Sequence, residues 1–236
     1  MKLMSSPASP FGRKVTMTIA IKNLKDRIEV LHVDATKGDQ TLNAANPLGR
    51  IPALVLDNGD AIHDSHVICE YLDTVGAGPV LVPRSGPERW RTLTLASVAD
   101  GMIEQALLQV YEGRYRPENM RVESWVQRLQ TKIDRTLAFH EASPPAWGGH
   151  PDYGHLTFAS ALGYLDFRHG GRWRSGHPKL VAWLDEFGAV VPSFKASAPP
   201  GCGGSPSSRQ LILAARLPQK ALPSPPVAPP RASSVD

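Results

Sequence analysis

Three short stretches of the chain carry residue types that could do chemistry. The first is Ser5-Ser6-Pro7-Ala8-Ser9-Pro10-Phe11, in which Ser9 occupies an N-cap position and Pro10 the first turn of a helix. A hydroxyl there, backed by free N–H groups and the positive end of the helix dipole, suits stabilising a ligand thiolate by donating to it. Nucleophilic use of the serine is disfavoured, because no base adjoins it and no Gly-x-Ser-x-Gly elbow surrounds it. The second stretch is Gly49-Arg50-Ile51-Pro52-Ala53-Leu54. Pro52 is either a cis proline that opens the Ile51 N–H and C=O to an extended ligand, or an ordinary trans proline opening a strand. The third is His63-Asp64-Ser65-His66 at a helix start. It reads either as a corner holding the ammonium and carboxylate of an amino-acid end, or as plain N-capping.

The elements that must position these residues are legible in outline. Met1–Met4 reads as a short strand, and residues 11–22 as a helix exposing Lys14 and Lys22. Residues 27–34 (RIEVLHVD) read as a strand and 39–45 as a short helix broken at Asn46-Pro47. IPALVL and AIH pair across the turn Asn58-Gly59-Asp60, and a helix then runs through Val67, Ile68, Tyr71 and Leu72. This order implies a small α/β unit with a mixed sheet. Beyond the Gly/Pro-rich stretch 76–87 the period changes. Residues 87–113 place Trp90, Leu93, Val98, Met102, Ile103, Leu107, Val110 and Tyr111 at helical spacing, and 119–140 do so with Val122, Val126, Leu129, Ile133 and Leu137. Residues 157–168 and 178–190 are two further helices. The expected organisation is an α/β domain over 1–76, a linker over 77–87, an all-α domain over 88–200, and a disordered Pro/Ser/Ala-rich tail over 201–236.

Composition narrows the function classes. Residues 1–78 carry 8 Lys/Arg against 9 Asp/Glu, residues 79–200 carry 14 against 12, and residues 201–236 carry 4 against 1. Much of the net charge of +4 therefore sits in the tail, and no basic run with interleaved aromatics speaks for nucleic acid. Two cysteines, Cys69 and Cys202, are too few for a disulfide scaffold or a thiolate metal site. Without a signal-peptide core or an 18-residue apolar run, the expected setting is the cytoplasm, with no membrane partner and no metal.

In this order and spacing, ASPFGRKV, NPLGRIPALVL and HDSHVICEYL resemble the glutathione-binding half of soluble glutathione S-transferases. ALGYLDFR and HPKLVAWLDEFGAVVPSF resemble late helices of bacterial members, so the resemblance spans about residues 1–200. It implies a thioredoxin-like N-terminal domain, an all-helical C-terminal domain, a homodimer, and glutathione as co-substrate attacking a small apolar electrophile. Carried over by position, Ser9 matches the thiol-activating residue of a serine-type member, with Ser5 and Ser6 as fallbacks. Ile51 and Pro52 match the backbone that pairs with the cysteinyl part, and Asp64 and Ser65 match the pair holding the γ-glutamyl end. Arg50 neighbours that pocket, while Phe11 and Arg13 line the site. Met102, Gln105, Tyr111 and Arg114 are candidates for the electrophile's cleft, or else helix core and solvated face.

Two departures from the family pattern are apparent. The buried helix of the second domain ordinarily opens with a Ser/Thr-x-x-Asp capping box, but Thr157-Phe158-Ala159-Ser160 has Ser160 in the acid's place. The run from Thr157 onward also reads about one turn short. The competing functions are a ligandin-like glutathione-binding protein without turnover, a glutathione-dependent disulfide-bond reductase, and a pure protein-interaction module. A reductase ordinarily places cysteine where Ser9 stands.

Overall fold

The structure is a computed structural model and describes residues 1–200. The tail read as disordered, and Cys202 within it, lie outside the described residues. Strands β1 (Lys2–Ser5), β2 (Glu29–His32), β3 (Ala53–Val55) and β4 (Ala61–His63) form one sheet in the order β2-β1-β3-β4. β1 and β2 are parallel, and the other two pairings are antiparallel. The parallel pair needs a crossover, which helix α1 (Pro10–Ile21) supplies. Side chains alternate across the sheet as the strand period demands. Leu3 and Leu54 join Val15, Met17 and Ile19 of α1 and Ile68 and Leu72 of α3 (Ser65–Val75) on one face. Met4 and Ala53 face the other way, onto Leu42 and Ala45 of α2 (Gln40–Ala45).

The second half is helical: α4 (Gly86–Tyr115), α5 (Glu123–Ala142), α6 (Tyr153–His169), α7 (Pro178–Val190) and the short α8 (Pro192–Ala196). At 1.5 Å per residue α4 is about 45 Å long. It packs along α6, and α1 packs on α6 from the sheet side. Helix α6 is buried all round from Tyr153 to Leu165, which makes it the axis of the helical half.

Three expectations change here. Lys14 and Lys22 are not exposed. Lys14 is 0% accessible, and its ammonium donates to both oxygens of Asp100 on α4 at 2.6 and 2.7 Å. Lys22 pairs with Asp73 at 3.0 Å and donates to the Pro79 carbonyl at 2.9 Å. A buried ammonium persists only when paired, and both lysines lie on the helix face that meets other elements. Lys22 and Asp73 together also hold the linker that follows α3, where Asp73 accepts from the N–H groups of Leu81 and Val82, both buried. Second, Trp90 and Val98 point outward from α4, with Trp90 65% exposed. Third, α6 is neither shortened nor without its box. It begins at Tyr153, with Asp152 as N-cap and His155 completing a reciprocal capping box. Thr157 and Ser160 are helix interior, donating to the Tyr153 and Leu156 carbonyls one turn back.

Asp152 also accepts from the Thr92 hydroxyl of α4. Burial opposes its ionisation, but the hydrogen bonds and charge of His155 and the Thr92 hydroxyl outweigh burial and hold the carboxyl below its ordinary value. A depressed carboxylate contributes stability above its unfolded pKa of about 3.9 and loses it as pH falls through the folded value. Asp152→Asn is therefore expected to melt below the parent protein at neutral pH, with the two melting curves converging below about pH 4. A gap that persists at acid pH would remove ionisation from the account of this cap.

Candidate functional site

The sheet register brings the three chemical stretches to one edge. Met4 lies opposite Ala53, and Ala53 opposite His63. The loop leaving β1 toward Ser9, the Ile51–Pro52 step entering β3, and the Asp64–Ser65 step leaving β4 therefore emerge side by side. Ser9 caps α1 with extended backbone (φ −83°, ψ 119°), and its Oγ accepts the Gly12 N–H at 3.0 Å. Because the oxygen is the acceptor in that bond, the hydroxyl proton remains available for donation. Gly12 permits the arrangement, since a Cβ there would overlap Ser5 Oγ. Ser5 itself is buried beneath α1, while Ser6 is half-buried and its Oγ accepts weakly from the Ala8 N–H at 3.4 Å.

The Ile51–Pro52 peptide is cis. Among the described residues, neither the N–H nor the C=O of Ile51 has a hydrogen-bond partner. That leaves one unpaired donor and acceptor at the entry to β3, the polar edge an extended peptide would use. The loop before it is fixed by Asn46, which is buried. Its side-chain amide donates to the Arg50 carbonyl at 2.8 Å, and its Oδ1 accepts from the Leu48 N–H at 3.1 Å. The Arg50 side chain is exposed.

Asp64 has φ +66°, a conformation that L residues seldom adopt and that concentrates at ligand sites. Its carboxylate accepts the His66 N–H at 2.8 Å and stays exposed at the α3 N-terminus. Ser65 is 3% exposed, and its hydroxyl has no partner among the described residues. A layer that sequence reasoning missed lies behind this corner. The His66 ring packs on Tyr153 at 5.2 Å, and the Lys14 ammonium sits 5.3 Å from the Tyr153 ring and 5.6 Å from Phe11. The Tyr153 hydroxyl is buried without a partner among the described residues. The signal for this layer was a lysine inside the apolar stripe of α1, which requires a carboxylate from elsewhere in the chain.

The remaining candidates separate. Phe11 is half-buried at the start of α1. The Arg13 guanidinium does not turn into the cleft; it donates to the Phe194 carbonyl at 2.7 Å and covers the Phe194 ring, tying α8 to α1. Met102, 2% exposed, lies in the core, and Gln105 accepts from Lys132 of α5 at 3.2 Å, so this pair faces α5. Tyr111 and Arg114 stand exposed at the far end of α4. Cys69 is buried, and burial pushes its thiol up to about 12, leaving it unsuited to redox exchange. Among the described residues no group of three His, Cys, Asp or Glu side chains could hold a metal, and no helix is long and apolar enough to cross a membrane.

Two family models match stretches of the chain. Residues 8–75 match the glutathione S-transferase N-terminal domain and residues 123–186 the glutathione S-transferase C-terminal domain. An uncharacterised GST-like protein of Escherichia coli K12, YibF, is 30% identical over 204 residues, covering 85% of this chain and 99% of its own. A glutathione transferase family member from Pseudomonas fluorescens Pf-5, solved with bound glutathione, is 42% identical with a TM-score of 0.80, covering 84% of this chain and 98% of that one. A second structure from Pf-5, at 40% identity and TM-score 0.76, holds S-(propanoic acid)-glutathione and covers 85% of this chain and 100% of that one.

Proposed function

Because the chain belongs to the glutathione S-transferase family, we propose that it binds glutathione along the shared edge of β1, β3 and β4 and conjugates the thiolate to small electrophiles. The convergence of Ser9, Ile51–Pro52 and Asp64–Ser65 on that edge is the observation that carries this reading. The free N–H and C=O of Ile51 pair with the cysteinyl unit in strand fashion. Asp64 accepts from the γ-glutamyl ammonium, while the Ser65 hydroxyl and the first N–H groups of α3 hold its carboxylate. The sulfur then lies at the N-terminus of α1, where Ser9 donates to it. A thiol with pKa about 8.5 is a few per cent ionised at neutral pH. Lowering that pKa by about two units makes it mostly thiolate, a shift of roughly 2.7 kcal/mol. The thiol proton leaves to solvent, and the thiolate forms the C–S bond to the electrophilic carbon as the leaving group departs with its bonding pair or, in an activated alkene, as the π pair shifts to the neighbouring carbon and is protonated by water. S-(propanoic acid)-glutathione on the Pf-5 relative is a thioether of the product class this reaction yields.

The absence of an accessible cysteine among the described residues disfavours the reductase alternative. The ligandin alternative differs only in turnover. A homodimer in the cytoplasm completes the reading, with Val67 of α3 and Trp90 and Val98 of α4 offering exposed apolar surface to a second copy.

The test combines binding with turnover. Glutathione at a hundred times its Kd is expected to stabilise the protein by about 2.7 kcal/mol. That raises the melting temperature by roughly 5–10 °C for a chain of this size. The same preparation is expected to sediment as a dimer and to conjugate 1-chloro-2,4-dinitrobenzene with release of chloride. Stabilisation without conjugation would convert the reading to a ligandin, and no stabilisation at millimolar glutathione would overturn it.

A further inference from the structure

A cavity of about 250 Å³ opens between α5, the end of α6 and the turn Arg172–Gly176 that follows it. None of the residues assigned above to glutathione or to the electrophile lines it. Its size falls just under the roughly 300–1,000 Å³ of sites that hold drug-sized ligands, which suits it to one small molecule. The floor is apolar: Ile133 and Leu137 of α5, Leu165 of α6 and Trp173 line it, and all four are buried. The Trp173 ring is fixed in place. Its Nε1–H donates to Asp166 at 2.9 Å, and the Arg174 guanidinium, paired with Asp166 at 2.7 Å, lies 5.0 Å from the ring.

The mouth carries two opposite charges that do not meet. Asp134 of α5 and Arg172 both line the cavity and are both exposed, yet they form no ion pair with each other. Asp134 Oδ1 accepts from the Gln130 amide at 2.7 Å, a neutral partner, and no cation pairs with the carboxylate among the described residues. The Arg172 guanidinium forms no hydrogen bond, ion pair or ring contact among the described residues. His169 also lines the cavity. Its Nε2–H donates to the Ala106 carbonyl at 3.1 Å, which leaves Nδ1 as an acceptor without a partner among the described residues. Burial pushes this imidazole down to about 4, so the ring stays neutral at physiological pH.

We propose that this cavity binds a free α-amino acid with an apolar side chain. Arg172 holds the carboxylate, Asp134 and His169 Nδ1 accept from the ammonium, and the side chain packs on Ile133, Leu137, Leu165 and Trp173. A zwitterion meets both charges of the mouth at once. A simple acid brings its carboxylate beside Asp134, and a simple amine brings its ammonium beside Arg172, so each loses one contact and gains a repulsion. An amino acid without apolar surface gains nothing from the floor. The site is separate from the corner at Asp64 and Ser65, and it stands whether or not the chain turns over glutathione.

The test is isothermal titration calorimetry of the full chain with L-phenylalanine, 3-phenylpropanoate, 2-phenylethylamine and glycine, in the absence and presence of saturating glutathione. L-Phenylalanine is expected to bind at least about tenfold more tightly than either singly charged analogue, the factor that one charge-assisted hydrogen bond supplies. Glycine should give no binding heat at millimolar concentration, and glutathione should leave the L-phenylalanine affinity unchanged. Arg172→Gln is expected to weaken L-phenylalanine at least about tenfold without weakening 2-phenylethylamine, and Asp134→Asn to do the same without weakening 3-phenylpropanoate. Both residues are exposed, so both variants should melt with the parent protein. Equal binding by either analogue or by glycine overturns the inference, as does parental affinity for L-phenylalanine in the two variants. No binding of L-phenylalanine at millimolar concentration also overturns it. Displacement of L-phenylalanine by glutathione overturns it too, and assigns the amino acid to the Asp64 and Ser65 corner instead.

Discussion

Ser9→Ala is expected to lower kcat/KM for conjugation by about 10- to 100-fold while glutathione still binds. The estimate follows from a hydrogen bond to a charged partner being worth about 1.5–3 kcal/mol, with every 1.4 kcal/mol a factor of ten. Binding survives because the peptide edge at Ile51 and the corner at Asp64 and Ser65 are untouched. The same substitution removes the cap of α1, in which Ser9 Oγ accepts the Gly12 N–H. That loss costs about 1 kcal/mol, so a drop of roughly 2–4 °C in melting temperature accompanies the kinetic effect. Ser9→Thr keeps both the cap and the donor, and it separates the two contributions by restoring stability and most of the turnover. Steady-state kinetics with glutathione saturation curves on the three proteins read all of this. Unchanged turnover in Ser9→Ala would remove the hydroxyl from the mechanism.

The largest stability effect is expected at Asp100. The Lys14 ammonium is wholly buried, and its carboxylate partner comes from α4. Asp100→Asn leaves that ammonium without a counter-charge, a change that typically costs about 3–5 kcal/mol. For a chain of this size the melting temperature should fall by roughly 6–20 °C. Lys14→Met is expected to cost less, because the carboxylate it strands is partly accessible. The double variant Lys14→Met/Asp100→Asn should recover much of the loss, since removing both charges also removes the burial penalty. Thermal melts of the four proteins form a complete cycle. Additive single effects would mean that the pair does not couple α1 to α4.

The order of elements was legible because each local signal agreed with its neighbours. Alternation marked the strands, the Asn-Gly turn marked the hairpin, and Ser9-Pro10 and Asp64-Ser65 marked helix starts. What escaped was information that only the partner supplies. A lysine reads as exposed until Asp100, far along the chain, is found opposite Lys14, or Asp73 opposite Lys22. The capping box of α6 was missed because Asp152-Tyr153-Gly154-His155 sits in a Gly/Pro-rich context and puts histidine where an acid is usual. Helical spacing in α4 marked apolar positions but not which neighbour each one meets. The helix lies against α6 along one side and α5 along another, so Met102 and Gln105 turn to α5 while Tyr111 and Arg114 reach the open end.

The central claim is that the N-terminus of α1 and the Ser9 hydroxyl together stabilise a bound thiolate. Its most direct test is a pH titration of the thiolate absorbance of bound glutathione in the parent protein and in Ser9→Ala. The bound thiol should titrate about two units below its free value of about 8.5 in the parent, with roughly 1–2 units of that shift lost in the variant. A bound thiol that titrates at its free value in both proteins would contradict the account.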